Sequence, residues 1–194
     1  MQERYAQIET FRAPFTQKLT HKESGAEDIR TGMLFFKRPL LIRWETDAPG
    51  QELLVVTDKE IWNYLAGDKV AIRYAPDLAR DSRSIIQVVT GQSRLDKDFT
   101  VEESGREGEL VTLRLYPHEP TVQFTEGRLW VNAKTRFIHR VEITDFYGNS
   151  NDIALGEMAL NLSFPDDTFN FSPPAGVRVE DEAQAAESGN LLLR

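Results

Sequence analysis

The sequence predicts a mainly β protein: a strongly curved antiparallel sheet of about eleven strands, with short helices covering its concave side. Three observations carry this reading. Apolar and polar residues alternate with period two through most of residues 11–74 and 99–164. The alternating segments are joined by very short punctuation, such as Arg38-Pro39, Asp47-Ala48-Pro49-Gly50 and Ala66-Gly67-Asp68, which suits antiparallel neighbours in a meander. Helical spacing appears only in two brief stretches, and a sheet as wide as the remainder implies tends to curl or close.

Met1 to Thr10 place Met1, Tyr5 and Ile8 on one side of a short amphipathic helix. From Phe11 the period changes to two, with Phe11, Ala13 and Phe15 set against Arg12, Thr16 and Lys18, until turn chemistry arrives at Lys22 to Gly25. Strands are then expected at Asp28 to Lys37, Leu41 to Thr46, Glu52 to Thr57, Glu60 to Leu65 and Lys69 to Tyr74. Between Pro76 and Asp98 the alternation stops. There Ile85, Val88 and Val89 fall at helical spacing, with Asp81 or Ser82 as N-cap and Gly91 as the stop. Such a helix, rich in β-branched residues and only about two turns long, must rest on something else. Strands resume at Phe99 to Glu103, Glu109 to Tyr116, Thr121 to Glu126, Arg128 to Asn132, Phe137 to Asp145 and Ser150 to Phe164, the last with a bulge at Gly156. A brief segment follows at Phe169 to Phe171. The chain therefore reads as one domain over residues 1–180 and an acidic, mobile tail over 181–194.

A net charge of −8 and a pI near 5.0 provide no basic footprint for nucleic acid or anionic lipid headgroups. No apolar run approaches the ~20 residues of a helical membrane span. The absence of cysteine excludes disulfides, thiolate metal sites and cysteine nucleophiles. His21, His118 and His139 are scattered, none at metal-ligand spacing, so no metal or cofactor is expected. No nucleophile elbow, phosphate-binding loop or dinucleotide fingerprint occurs, and the acid pairs Asp166-Asp167 and Asp96 with Asp98 suit turns and caps.

The densest pattern is Gly32 to Thr46. Leu34, Phe36 and Arg38 share one parity before Pro39, and Ile42 and Trp44 share one after it, so an apolar aromatic face ends in an arginine. A guanidinium is always charged and costly to bury without acceptors. The residues alone leave two readings open. Arg38 either snorkels into water at a barrel rim, or it crosses the mouth of a cavity to bond backbone carbonyls at the end of the Ile85 helix. The Ile85, Val88, Val89 stripe is likewise either plain core or a movable cover.

Four runs then resemble a known family: F-x-A-x-F-T-Q-K at Phe11 to Lys18, F-K-R-P-x-x-x-R-W-E at Phe36 to Glu45, L-x-V-x-D-x-x-x-W-x-Y at Leu54 to Tyr64, and F-x-F-x-P-P-x-G-V at Phe169 to Val177. Together they are similar to LolA, the periplasmic carrier of bacterial outer-membrane lipoproteins, over residues 1 to about 180. The resemblance implies an incomplete β-barrel with a helical lid over a hydrophobic cavity that takes lipoprotein acyl chains. It implies an inner-membrane ABC transporter as donor and an outer-membrane receptor as acceptor, acting on a monomer in the periplasm. It also implies that a signal peptide is absent from the chain as given. The family's lid-closing arginine falls on Arg38, its lid residues near Ile85 and Val88, and a hydrophobic transfer residue near Ile42. No proline opens the lid helix here, so its register is set to within one or two residues. The candidate ligand-binding set is Arg38, Leu34, Phe36, Ile42, Trp44, Tyr5, Ile8, Ile85, Val88 and Val89. A sensor of stray lipoproteins built on the same sheet is the competing class, and an enzyme acting on lipids lacks a visible nucleophile with its base.

Overall fold

A computed structural model describes residues 1–80 and 84–182. The strands, numbered along the chain, are β1 (Thr10–Thr20), β2 (Glu27–Lys37), β3 (Leu41–Ala48), β4 (Glu52–Val56), β5 (Ile61–Leu65), β6 (Val70–Tyr74), β7 (Phe99–Glu107), β8 (Leu110–Pro117), β9 (Glu126–Asn132), β10 (Ile138–Thr144), β11 (Ser150–Leu155), β12 (Ala159–Leu160) and β13 (Arg178–Asp181). Four short helices accompany them: α1 (Gln2–Ala6) ahead of β1, and α2 (Asp77–Arg80), α3 (Ile85–Val89) and α4 (Leu95–Asp98) between β6 and β7.

All strands belong to one sheet in the order β13-β6-β5-β4-β3-β2-β1-β11-β10-β9-β8-β7, with β12 paired to the start of β1. Neighbours are antiparallel except β13, which lies parallel to β6. Because β7 does not pair with β13 or β6, the sheet stays open, and the three helices of residues 75–98 form the only chain link across that gap among the described residues.

The period-two pattern becomes the two faces of the sheet. Along one cross-strand row Ala13 pairs Leu34, Leu34 pairs Trp44 and Trp44 pairs Leu54; along the next, Phe11 pairs Phe36, Phe36 pairs Ile42 and Ile42 pairs Val56. These residues are buried with those of β9, β10 and β11 and with the apolar residues of all four helices in a single core. The helices therefore lie on the concave side. The outer face carries the alternate residues, and around β10 these make a ladder of exposed and half-buried ion pairs in which Arg140 meets Asp152 and Glu142.

Several expected elements differ. Thr121 to Glu126 is a tight turn, because the Thr121 hydroxyl and carbonyl both accept from Phe124 N, at 3.1 and 3.2 Å, and so replace the ladder. The turn tucks Phe124 into the core against Phe99, with ring centroids 5.4 Å apart. The long last strand breaks at Gly156 rather than bulging. Gly156 N donates to Pro14 O, and a Cβ there would lie 2.7 Å from Pro14 Cγ, so a proline without a donor sits where β11 gives way to β12. Phe169 to Phe171 forms no strand. That segment crosses the outer face, where Phe171 packs against Trp62 and Tyr64, and Phe164 against both Phe35 and Phe169. The strand β13 includes Asp181, and Glu182 N donates to Arg73 O at 2.9 Å. The rest of the expected tail, residues 183–194, and the expected caps Asp81 and Ser82 lie outside the described residues.

Candidate functional site

The concave face is a continuous apolar floor with a cover made of helices too short to hold themselves. α1 and α3 have five residues each, α2 and α4 four. Helices of that length are unstable in water, so every one of them depends on the sheet beneath. Nearly all the residues singled out from the sequence meet here. Leu34, Phe36, Ile42 and Trp44 form the floor; Tyr5 and Ile8 descend from α1 and its exit; Val88 and Val89 descend from α3; each is at most 2% exposed. The exception is Ile85, which stays partly exposed at the margin while Ile86 takes the buried position beside it. Only the first position of the stripe differs, Ile86 in place of Ile85, while Val88 and Val89 are buried as expected.

Arg38 bonds backbone carbonyls beneath the cover, but those of α1 and its exit and not those at the end of α3. Its Nε donates to Ile8 O at 2.7 Å and its terminal nitrogen to Tyr5 O at 2.6 Å, and its backbone N–H bonds Glu9 O at 2.9 Å. The reason is an accounting of carbonyls. The end of α3 closes on itself in a Schellman turn: Gly91, at φ +69°, donates to Val88 O, Gln92 and Ser93 both donate to Gln87 O, and the Thr90 hydroxyl donates to Ile86 O. The carbonyls of Ile86, Gln87 and Val88 are thus already engaged there. At the end of α1, Gln7 N donates to Arg4 O at 3.3 Å and Ile8 N to Tyr5 O at 3.0 Å; Tyr5 O keeps a second lone pair and Ile8 O lies just past the helix, and a cation at a helix C-terminus is well placed to take both.

The Arg38 contact reaches α3 through Tyr5. Its ring lies so close over Gly91 that a Cβ on that glycine would sit 2.3 Å from Tyr5 Cδ1 and Cγ. The Tyr5 hydroxyl accepts from Ile138 N on β10 at 3.1 Å, and the ring meets Phe137 edge-on at 5.7 Å. Burial pushes the phenol well above its ordinary pKa, only partly offset by that backbone hydrogen bond, so the group stays neutral. Two further ties hold the cover: Gln2 Nε2 donates to Ser93 O at 3.0 Å, and Gln87 Nε2 donates to Ala79 O at 2.6 Å, joining α3 to α2. Ser84 caps α3 through its hydroxyl, which accepts from Gln87 N. Neither Tyr5 over Gly91 nor the Gln87 tie was visible in the sequence, although Gly91 was legible as a stop.

Above the floor, side chains of the cover and of the facing strands pack into one apolar core. A pocket of about 470 Å³ opens on the opposite, outer face between β4–β5 and residues 165–172, where Lys37 and Lys59 stand among Asp58, Glu60 and Asp166. Its mixed charge distinguishes it from the apolar floor.

The sequence pattern of the family described as "Outer membrane lipoprotein carrier protein LolA" matches residues 6–172. The chain belongs to the LolA family. Among its relatives, the outer-membrane lipoprotein carrier protein of Chromobacterium violaceum is 29% identical over 170 residues, spanning 88% of this chain and 80% of that one. The protein of the same name from Nitrosomonas europaea is 28% identical over 170 residues, spanning 88% and 82%. In fold, the chain is similar to an uncharacterized conserved protein from Thermus thermophilus, with a TM-score of 0.59 at 15% identity over 92% of this chain and 95% of that one. As a LolA-family carrier, the protein is a binding protein and not an enzyme. The K-R-P run at Lys37 to Pro39 carries Arg38, and the P-P-x-G-V run at Pro173 to Val177 leads the chain from the outer-face crossing into β13.

Proposed function

We propose that this LolA-family chain carries lipoproteins through the periplasm by taking their acyl chains onto the concave floor when α1 and α3 move aside. Donation by an inner-membrane ABC transporter and delivery to an outer-membrane receptor complete the cycle. The observation that supports this most is the division of labour in the core: a rigid, cross-strand apolar floor on one side, and on the other a cover of four-to-five-residue helices held by a few side-chain ties.

The energetics explain why a carrier needs such a cover. Burying a methylene is worth roughly 0.8 kcal/mol, so about forty methylenes of a multiply acylated cargo would gain on the order of 30 kcal/mol gross, beyond the practical ceiling of about 20. A bare greasy trough would never release its load. A cover that occupies the same floor when cargo is absent subtracts its own burial from the gain, bringing binding into a range that a receptor can reverse.

The test is displacement. An environment-sensitive apolar dye should bind the protein and be displaced by a synthetic diacylglyceryl-cysteinyl peptide but not by the same peptide without its acyl chains. Equal displacement by the two peptides would overturn the proposal.

A further inference from the structure

The floor carries two hydrogen-bond donors that its own chain does not use. Trp44 stands in the middle of β3 with Leu34 and Leu54 as cross-strand neighbours and its ring 4.4 Å from that of Phe15. It is 2% exposed, and its Nε1 is fully buried with no acceptor among the described residues. Asn151, on β11, is also 2% exposed. Gln17 Nε2 donates to Asn151 Oδ1 at 3.0 Å, which fixes the amide's orientation and leaves Asn151 Nδ2 buried without a partner among the described residues. Tryptophan and asparagine here are costly choices. Phenylalanine would fill an apolar position like that of Trp44 without stranding an N–H, and buried donors are normally satisfied.

We propose that Trp44 Nε1 receives a carbonyl group through which acyl chains are joined to their carrier, so that the floor selects acyl-linked cargo over plain or ether-linked hydrocarbon. This rests on the acyl-chain reading above and adds the linkage chemistry. An indole N–H can only donate, so its partner must bring an acceptor, and the acceptor that a greasy ligand brings with it is its ester or amide carbonyl. β3 and β11 are separated by β2 and β1 in the sheet order, and the register offsets them further: Trp44 lies level with Ala13 of β1 through Leu34, and Asn151 lies level with Leu19, so at about 3.4 Å per residue they are about 20 Å apart along the strands. The ester carbonyls of one glyceryl group lie far closer together than that, so Trp44 takes one of them and Asn151 does not share the ligand. In the covered state Trp44 Nε1 has no partner among the described residues; when cargo replaces the cover, it gains one. The linkage thus contributes to the loaded state without adding to the competing closed one.

The experiment compares a diacylglyceryl-cysteinyl peptide with its dialkyl ether analogue of equal chain length, both measured by dye displacement on the intact protein and on Trp44→Phe. The wild type should bind the diester about tenfold more tightly, the upper range of one net hydrogen bond, and Trp44→Phe should bring that ratio down to about one. In parallel, the Trp44 indole N–H proton resonance should move downfield with the diester and not with the diether. Equal wild-type affinity for diester and diether, with no change in the indole resonance, overturns this inference while leaving the acyl-chain reading intact. Binding of neither lipid removes the acyl-chain reading itself. Because the wild-type comparison needs no variant, a folding failure of Trp44→Phe does not spare the inference.

Discussion

Replacing Arg38 by leucine deletes two hydrogen bonds from a charged, half-buried guanidinium, at 2.7 Å to Ile8 O and 2.6 Å to Tyr5 O, and nothing on the sheet. Bonds to charged groups contribute about 1.5–3 kcal/mol each, and partial exposure argues for the low end, so the loss is about 3 kcal/mol from the closed state. Cargo occupies the open state, which lacks those bonds, so the closed–open balance shifts toward open by about 150-fold. Three consequences follow in order. Backbone amides of residues 84–93 exchange with solvent about 100-fold faster, because α1 no longer presses Tyr5 onto Gly91. Apolar dye binds more tightly, since less of its binding energy goes into displacing the cover. Loaded protein hands over cargo more slowly, because its closed competitor has been weakened. Hydrogen-exchange mass spectrometry read peptide by peptide, with β1–β3 as the internal reference, checks the first; a transfer assay to acceptor vesicles bearing the receptor checks the last. Unchanged exchange in residues 84–93, or normal hand-off by Arg38→Leu, would refute the coupling of Arg38 to the cover.

Two further outcomes follow from the contact of Tyr5 with Gly91. Gly91→Ala places a Cβ 2.3 Å from the Tyr5 ring at a φ of +69°, which only glycine adopts freely, and should cost about 2–4 kcal/mol, read as a Tm lower by about 5–10 °C together with tighter dye binding. An unchanged Tm would show that Tyr5 does not rest on that glycine. The neutral, buried Tyr5 gives a pH signature: its pKa is raised on folding, so its contribution is fully present below the unfolded value of about 10 and is lost as pH rises beyond it. Urea unfolding at pH 8 and pH 11 should therefore show a smaller alkaline loss in Tyr5→Phe than in wild type, whereas identical losses would place the phenol in solvent.

Much of the floor was legible because burial on one side of a sheet writes itself as alternation: Leu34, Phe36, Ile42 and Trp44 could be assigned to one face before any coordinates, and they share it. The cover was legible in kind and wrong in detail. Gly91 announced where α3 ends, and the turn that such a glycine makes engages the carbonyls that the expected Arg38 contact needed. The stripe starts at Ile86 and not Ile85, because on so short a helix no second turn of sequence exists to fix the phase. Other elements left no pattern to read. In Arg178–Asp181 three of four residues are charged, and its parallel pairing with β6 at the sheet edge buries none of them fully. The Thr121–Phe124 turn has a strand's composition and is decided by a single threonine hydroxyl and carbonyl. The roles of Trp44 and Asn151 as unpaired donors could not be read from sequence at all, since periodicity reports which face a residue joins and says nothing about whether its polar atom finds a partner.

At the centre of the proposed function, lipid chains and the helical cover compete for the same floor. Native mass spectrometry of the protein released from the periplasm of lipoprotein-producing cells tests this most directly. A population heavier than the free chain by the mass of an acylated lipoprotein is expected, depleted when Phe36→Asp puts a charge into the floor. Finding only the free chain in both proteins, or cargo retained undiminished by Phe36→Asp, would contradict it.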